Sequence, residues 1–525
     1  MAVHITLPET LKEVDVVVSE GQLFGRDVSI AVGSCLGGGS SINGMIYACL
    51  QALDFDAWGA QGWSRDDVLP FLKRFESYHS RDVRECHRSE GPIHVSGGRY
   101  RGTKLERDFI DDMKDSGYPE VQDLQDLHAA HGVSPALRYV SPEDGRRQDS
   151  AHRYLHPRIQ QGAFPNLHVL VGSQATRLLL SEGRKVDGVE YRPTPQAPSA
   201  SSPESAQTVR ARKFVILSAG AFGTPFLLER SGVGDKEVLE SAGVPVAHHL
   251  SGVGCHFQDY YISNGTRSIP ELMSTSDPIL SWNAVDASAK IRPTKSEVES
   301  LGSRFEKAWH ADYESVPSKP LASLIVFNGI LGDPTPFPKG EYFTIASYTP
   351  YPYSRGTIHI AGPQIGQPPR FRAGYLTDRG DVDLEIQTWA YKKQREIARR
   401  MSNLRSEIPS RHPRFPPDSK AACAPGNDGV PTTTAIEYSN EDDEAIRQFI
   451  CGKVGTAWHP LGTCKMAPRE QMGVVDENLN IHGIAGLKVA DMSIMPHNVS
   501  GNTITALLIR ERAADLFIED LGLKD

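Results

Sequence analysis

The apolar residues of this chain gather into short β-branched runs and into helical spacings between them. Asp15-Val16-Val17-Val18 reads as a buried strand, and residues 28–32 as a second one that runs straight into a glycine-rich turn. Beyond the turn, Asp66, Val68, Leu69, Phe71, Leu72 and Phe75 recur at helical spacing, with Ser64 as the expected cap. Residues 167–180 are mostly apolar, 186–191 follow after the Glu182-Gly183 turn, and the Ser/Pro/Ala-rich stretch 194–206 is a loop by composition. Residues 213–218 form another strand pattern, after which Pro225 is expected to open a helix over 226–231. This alternation of strands and helices predicts a partly parallel sheet. Between 261 and 430 the pattern gives a charged helix over 295–309, strands over 321–327, 342–347 and 357–360, and a long helix from Asp381. Residues 411–434 read as an irregular linker. Ser439 starts a helix to about residue 454, 487–490 form a strand, and 503–521 form a terminal helix capped near Ser500 or Asn502.

At 525 residues the chain has room for roughly two to four domain-sized units. With 39% hydrophobic residues, 23% charged residues and a net charge of −9, it is an ordinary globular sequence, and neither nucleic acid nor an anionic membrane is indicated as a partner. No apolar run reaches the ~18 residues that span a bilayer. The first residues lack a signal-peptide pattern, and Leu523-Lys524-Asp525 is not a peroxisomal Ser-Lys-Leu address, so a cytoplasmic location is expected. The seven cysteines contain no C-x-x-C pair and read as reduced thiols. No metal site is expected, because no H-E-x-x-H occurs and His248-His249 point to opposite faces of a strand. No G-x-S-x-G occurs either, which leaves a serine hydrolase unsupported.

Three segments carry candidate chemistry. Gly37-Gly38-Gly39 with Ser40, Ser41 and Asn43 exposes backbone N–H groups to an anionic or planar ligand, although such a turn is usually only a turn. Residues 220–234 pack small side chains at a strand end, which a well-capped helix explains equally well. His459, set between Trp458 and Pro460, has a rigid context; with the Asn502 amide nearby, its imidazole could accept a proton from a hydroxyl. Asp491 at a strand end could take ribose-like hydroxyls.

Taken together, these segments resemble the glucose–methanol–choline family of flavin oxidoreductases. Residues 36–45 look like its first signature and 224–234 like its second. Trp458-His459-Pro460-Leu461-Gly462-Thr463, Ala490-Asp491-Met492-Ser493 and Asn502-Thr503 are similar to its C-terminal part. Asp144-Gly145-Arg146-Arg147 with Ser150 and Tyr154, Gly252-Val253-Gly254 with Gln258-Asp259, and Ser354-Arg355-Gly356 fit as intermediate marks; 121–127 and 145–152 look closest to the alcohol (methanol) oxidase branch. The resemblance implies an α/β chain, α+β overall: a Rossmann-like FAD domain (1–75, 167–260, 455–525) and a substrate domain with an antiparallel sheet and helices (76–166, 261–454). It implies FAD as cofactor, a small-molecule alcohol as substrate, and oxygen or another acceptor for the electrons. His459 would take the hydroxyl proton while hydride passes to flavin N5, with Asn502 as its catalytic partner. Gly37, Gly38, Ser40, Asn43, Gly44 and Met45 would line the flavin side, Ala175 would meet the adenine, and Ala490 with Asp491 would lie near the ribityl chain and pyrophosphate. Asn502 and Thr503 would open the helix whose positive end favours an anionic reduced flavin.

One family element is absent from the sequence. A strand, Gly-x-Gly-x-x-Gly and a helix should hold the pyrophosphate. Gly37/Gly39, Gly232/Gly234 and Gly252/Gly254 supply two glycines each, but the third positions are Ile42, Glu237 and Phe257. A βαβ unit takes roughly 30 residues or more, and only residues 19–27 separate the first two expected strands. Smaller departures are Cys49-Leu50 where the family has Arg-Gly, and His256 and Tyr260 where it has Asn and His. The alternative reading is a flavin-free relative that keeps the fold for binding or assembly. The gap is then either a loss in the protein or a misreading of an intact gene.

Overall fold

The computed structural model describes residues 17–20, 26–80, 86–162, 164–181, 184–194, 206–259, 261–262, 282–331, 337–338, 340–423 and 434–523. The expected start of the first strand at 15–16, the Glu182-Gly183 turn, Tyr260, most of the 194–206 loop and residues 424–433 of the linker lie outside them. The chain mixes helices with parallel and antiparallel sheets, as its patterning predicts. Among the described residues no helix is long and apolar enough to cross a membrane.

The largest sheet is antiparallel, in the order Thr344–Tyr348, Ala322–Phe327, Val285–Ile291, Gly132–Pro135. Helices Thr103–Asp115 and Val382–Arg400 cover it, burying Phe109, Ile386, Trp389 and Ala390 against Ala287, Leu324 and Val326. A second core lies under the helices Arg65–Phe75 and Asn502–Asp520, where Leu72, Phe75, Ile504 and Leu508 meet Leu217, Leu228 and Val489. Tyr78, Ile93, Val95, Leu127 and Tyr139 join this second core, although the expected division assigns them to the other unit.

Beside the second core the strands Val215–Leu217 and Leu487–Val489 pair in parallel as a two-stranded sheet. A three-stranded meander, Ser173–Ser181, Lys185–Pro193 and Gln207–Arg210, flanks them. Val17–Glu20 and Arg26–Ser29 pair only with each other, antiparallel, Val17 facing Ser29. Geometry dictates this, because residues 21–25 are too few for a parallel crossover, which needs a dozen or more.

Several expected boundaries shift for identifiable reasons. Ser64 and Ser439 each accept from the N3 backbone of their helix in a capping box, as read from the sequence. The helix expected to open at Pro225 instead runs Gly220–Arg230 with the proline inside. Pro225 has no N–H for the Ala221 carbonyl, and the Thr463 hydroxyl donates to that carbonyl instead, at 2.6 Å. The single helix expected over 295–309 is two, Lys295–Ser300 and Ser303–Asp312, divided at Gly302 with φ 87°. The terminal helix begins after Gly501 with no side-chain cap. Ser500 is engaged elsewhere: its N–H donates to Asp54 Oδ2 at 3.2 Å and its hydroxyl to the Cys49 carbonyl at 3.1 Å. A Cβ at 501 would lie 2.2 Å from the Ala48 carbonyl oxygen, so only glycine fits there.

Candidate active site

The glycine cluster forms a tight turn, with φ 87° at Gly37 and 53° at Gly38. The Ser40 hydroxyl donates to the Gly37 carbonyl at 2.6 Å and accepts from Ser150 N at 3.1 Å, which ties the turn to a segment more than a hundred residues away. The short helix Gly39–Ile42 then delivers Asn43. Arg147 Nη1 donates to the Asn43 carbonyl and to Asn43 Oδ1, both at 2.7 Å, and to the Ser40 carbonyl at 3.2 Å. Burial lowers the Arg147 pKa, with Asp149 opposing the shift. Asn43 Oδ1 also accepts from Met45 N at 3.1 Å, so Nδ2 is the atom left to donate to Thr503 Oγ1, at 3.2 Å. The Gly44 carbonyl accepts from Asn283 Nδ2 at 2.8 Å, and the Met45 carbonyl from Tyr139 N at 2.8 Å.

On the C-terminal side, Asp259 fixes the backbone that carries His459. Its Oδ1 accepts from His459 N at 2.9 Å, and its Oδ2 from the Tyr375 hydroxyl at 2.9 Å and from the Thr456 hydroxyl. Trp458, in the left-handed region at φ 61°, donates its N–H to Thr456 Oγ1 at 2.7 Å. Gln258 and Leu461 exchange backbone bonds at 3.1 Å. The Asn502 amide donates to the His459 carbonyl at 3.3 Å, so His459, Asn502, Thr503 and Asn43 form one linked group. His459 keeps some exposed surface, yet burial alone pushes its pKa down to about 4. The ring is neutral near pH 7 and carries a nitrogen lone pair that can take a proton. Arg147 and Asp259 sit within the resembling motifs, but nothing in those motifs assigns either a role; the reach of each to Asn43 or His459 appears only in three dimensions.

Asp491 serves two helix starts. Its Oδ2 accepts from Gly220 N at 2.9 Å and from Thr224 Oγ1 at 2.6 Å, and its Oδ1 from Ser493 N at 2.8 Å. Ala490 N donates to the Leu217 carbonyl at 2.8 Å and joins the two parallel strands. Ala175 lies apart, exposed in the strand Ser173–Ser181 opposite Tyr191.

The residues fit FAD at one end and not at the other. Gly38, Gly39 and Gly44 front open space where a side chain would begin, and the positive end of the 19-residue terminal helix stands beside Asn43, as a flavin edge needs. At the dinucleotide end, the strand Val215–Leu217 pairs on one side only among the described residues, and Ile216 is 42% exposed. Leu170 and Val171, just before the Ala175 strand, are 65% and 63% exposed. Where a glycine-rich βαβ unit would shield such a sheet and grip a pyrophosphate, the described residues offer an uncovered apolar edge.

Residues 16–262 match the N-terminal part, and 352–509 the C-terminal part, of the family described as GMC oxidoreductase. An alcohol oxidase of Candida boidinii is 35% identical over 570 aligned positions, covering 95% of this chain and 85% of that protein. Since the whole chain has 525 residues, that relative carries residues with no counterpart here. An oxygen-dependent choline dehydrogenase of Pseudomonas putida (strain GB-1) is 30% identical, covering 94% and 82% of the two chains. Among solved structures, pyridoxine 4-oxidase from Mesorbium loti superposes with a TM-score of 0.73 at 25% identity, covering 96% of this chain and 88% of that one. The chain belongs to the GMC oxidoreductases, a family of FAD-dependent enzymes that includes the alcohol oxidases.

Proposed function

We propose that this chain is built as an FAD-dependent alcohol oxidase or dehydrogenase that converts an alcohol to an aldehyde or ketone. The observation that carries the reading is the linked group His459, Asn502, Thr503 and Asn43, which joins segments up to 460 residues apart in sequence. FAD, when bound, supplies the acceptor for the hydride leaving the carbinol carbon. The chain's own residues do the rest. His459 takes the hydroxyl proton, and Asn502 holds the segment that presents it. Asp259 fixes the His459 backbone, and Arg147 sets the Asn43-Gly44-Met45 turn that faces the cofactor. Gly37, Gly38 and Ser40 shape that turn. Ala490 and Asp491 would stand at the ribityl and pyrophosphate side, and Ala175 at the adenine. We also assign the second core to the cofactor domain and the antiparallel sheet with its helices to the substrate domain.

Because the Gly-x-Gly-x-x-Gly pattern is missing and the edge at Ile216 is bare among the described residues, the chain holds FAD weakly. Gel filtration in the presence of FAD, read by the flavin absorbance of the protein peak, tests it. The expected result is a flavin-depleted peak, and tightly held stoichiometric FAD would overturn it. Restoring a βαβ segment between Glu20 and Arg26 should recover binding. If the restored form also fails to take FAD, the flavin-free reading replaces this one. In a flavin-competent form, His459→Ala should slow flavin reduction by ~10²–10⁴-fold while leaving flavin affinity nearly unchanged.

A further inference from the structure

In the second core, away from the active site, a buried imidazole stands between two carboxylates. His87 Nδ1 lies 2.9 Å from Glu76 Oε2, and its Nε2 lies 3.1 Å from Asp123 Oδ2, with none of the three side chains more than 3% exposed. Both acids are held from behind. The Tyr47 hydroxyl donates to Glu76 Oε1, and Asp123 Oδ1 accepts from Gln125 N at 2.8 Å and from the Tyr78 hydroxyl at 3.1 Å. The Tyr78 ring stacks on the imidazole with centroids 3.8 Å apart and an interplanar angle of 4°, which fixes the plane of the histidine. The preceding residue, Cys86, brings its thiol to the same spot. One ligand atom each from Cys86, His87 and Asp123 lie within 4.8 Å of one another, and among the described residues no other three such side chains converge so closely. No spacing motif announces the trio, because Asp123 comes from a segment 36 positions away from His87.

We propose that Cys86, His87 and Asp123 form a binding site for a divalent cation of the zinc class. Thiolate, imidazole and carboxylate together are a donor set that Zn²⁺ takes in tetrahedral geometry. Zn–N and Zn–O bonds of about 2.0–2.1 Å place those two ligand atoms about 3.3 Å apart, close to the 3.1 Å between His87 Nε2 and Asp123 Oδ2. A Zn–S bond of about 2.3 Å asks Cys86 Sγ to stand about 3.6 Å from each, which a small rotation of its side chain reaches from within 4.8 Å. Glu76 is the acid that a ligating histidine keeps on its far nitrogen: it accepts from Nδ1 and leaves Nε2 to face the ion. His87 and Asp123 are buried and Cys86 keeps exposed surface, so the ion enters on the cysteine side and its fourth position falls to water.

Without the ion, a proton occupies its place. Burial opposes a charged His87, but Asp123, Cys86 and Glu76 prevail and push its pKa up to about 12. The same negative groups attract a dication with twice the charge. Binding balances by release: the ion replaces the Nε2 proton and the Cys86 thiol proton, both pass to water, and no electron moves. The site is also tied to the catalytic group. Gln125, whose N–H donates to Asp123, accepts at Oε1 from Cys49 N at 2.7 Å, and the Cys49 carbonyl accepts from the Ser500 hydroxyl at 3.1 Å, two residues before Asn502. None of these contacts involves the flavin, so the site stands whether or not FAD is bound.

The full chain, stripped with a chelator, is titrated with Co²⁺ in mildly alkaline buffer without oxygen. One equivalent should bind and give a thiolate-to-cobalt charge-transfer band in the near ultraviolet, and Zn²⁺ should bleach it. Cys86→Ser should abolish the band, and Asp123→Asn should weaken Co²⁺ binding about ten-fold or more. Cys35→Ser, at an exposed cysteine of the same chain, should change neither. A second measurement needs no variant to fold: in the unsubstituted protein Zn²⁺ should slow the alkylation of Cys86 by iodoacetamide about ten-fold or more and leave Cys35 unchanged. Absence of the band, a band that survives Cys86→Ser, parental affinity in Asp123→Asn, or Cys86 alkylation that Zn²⁺ does not slow each overturns the proposal. The imidazole would then be only a protonated tie between Glu76 and Asp123.

Discussion

Arg147 and Asn43 are joined twice through a single nitrogen, which stands 2.7 Å from both the carbonyl and the side-chain oxygen of the asparagine. The contact fixes the orientation of the amide: with Oδ1 occupied, Nδ2 is the atom that meets Thr503. Arg147→Met should therefore lower stability by about 1.5–3 kcal/mol in urea unfolding, the usual worth of hydrogen bonds to a charged group. Arg147→Lys should recover only part of the loss, since a guanidinium and an ammonium present their donors differently. A Met variant as stable as the parent would remove Arg147 from this role.

Asp259 holds the backbone N–H of His459. In a flavin-competent form, Asp259→Ala should slow flavin reduction by about 10²-fold, the order expected when a reacting group is misplaced by a fraction of its own size. Flavin affinity should hold. Stopped-flow reduction under anaerobic conditions measures this, and an unchanged rate would sever the link between the carboxylate and catalysis.

The Thr463 hydroxyl and Pro225 act as a pair. Thr463→Val leaves the Ala221 carbonyl without its donor and should cost about 1–3 kcal/mol. Pro225→Ala returns a backbone N–H to that carbonyl, so the same Thr463 change should cost less in the alanine background. A double-mutant cycle should give a coupling of about 0.5–3 kcal/mol, and strict additivity would contradict the pairing.

Three half-buried histidines should make the fold acid-sensitive. Burial pushes His459 to about 4; burial and the charges of Lys465, Arg355 and His497 push His256 to about 4; and burial, with Arg395 and Arg399 adding to it against Glu407, pushes His412 to about 4. Each stays neutral in the folded state while its unfolded counterpart titrates near 6.5. Their contribution is complete above pH 6.5 and is lost as pH falls toward 4. His359, at about 9, has the opposite sign: its contribution is full below pH 6.5 and declines as pH rises toward 9. Thermal unfolding from pH 6.5 to 4 should show a falling Tm, with a shallower slope in His459→Gln. Parallel slopes would mean that His459 is not held neutral.

Helix caps were legible in the sequence. Ser64 and Ser439 cap the helices they precede, because a cap needs only residues three positions away. The start of the helix at Gly220 was not legible, because the hydroxyl that takes up the Ala221 carbonyl lies 242 positions away from it in sequence. The same holds for Asp491, whose partners Gly220 and Thr224 come from a distant segment, and for Gly501, which is required by the approach of Ala48 rather than by a turn of its own. His459 and Asn502 could be named from their motif, but their link runs from the amide of one to the backbone carbonyl of the other, a geometry that no spacing encodes.

The uncovered side of the strand Val215–Leu217 also bears on how the protein fares in a crowded cell. A strand edge that no described residue pairs, carrying an apolar side chain such as Ile216, is a template that another chain can extend. Molecules lacking a cover for that edge should recruit chaperones, associate as their concentration rises and scatter light well below the temperature at which their cores melt. An edge left bare in this way would limit the amount of usable protein before it limits the chemistry.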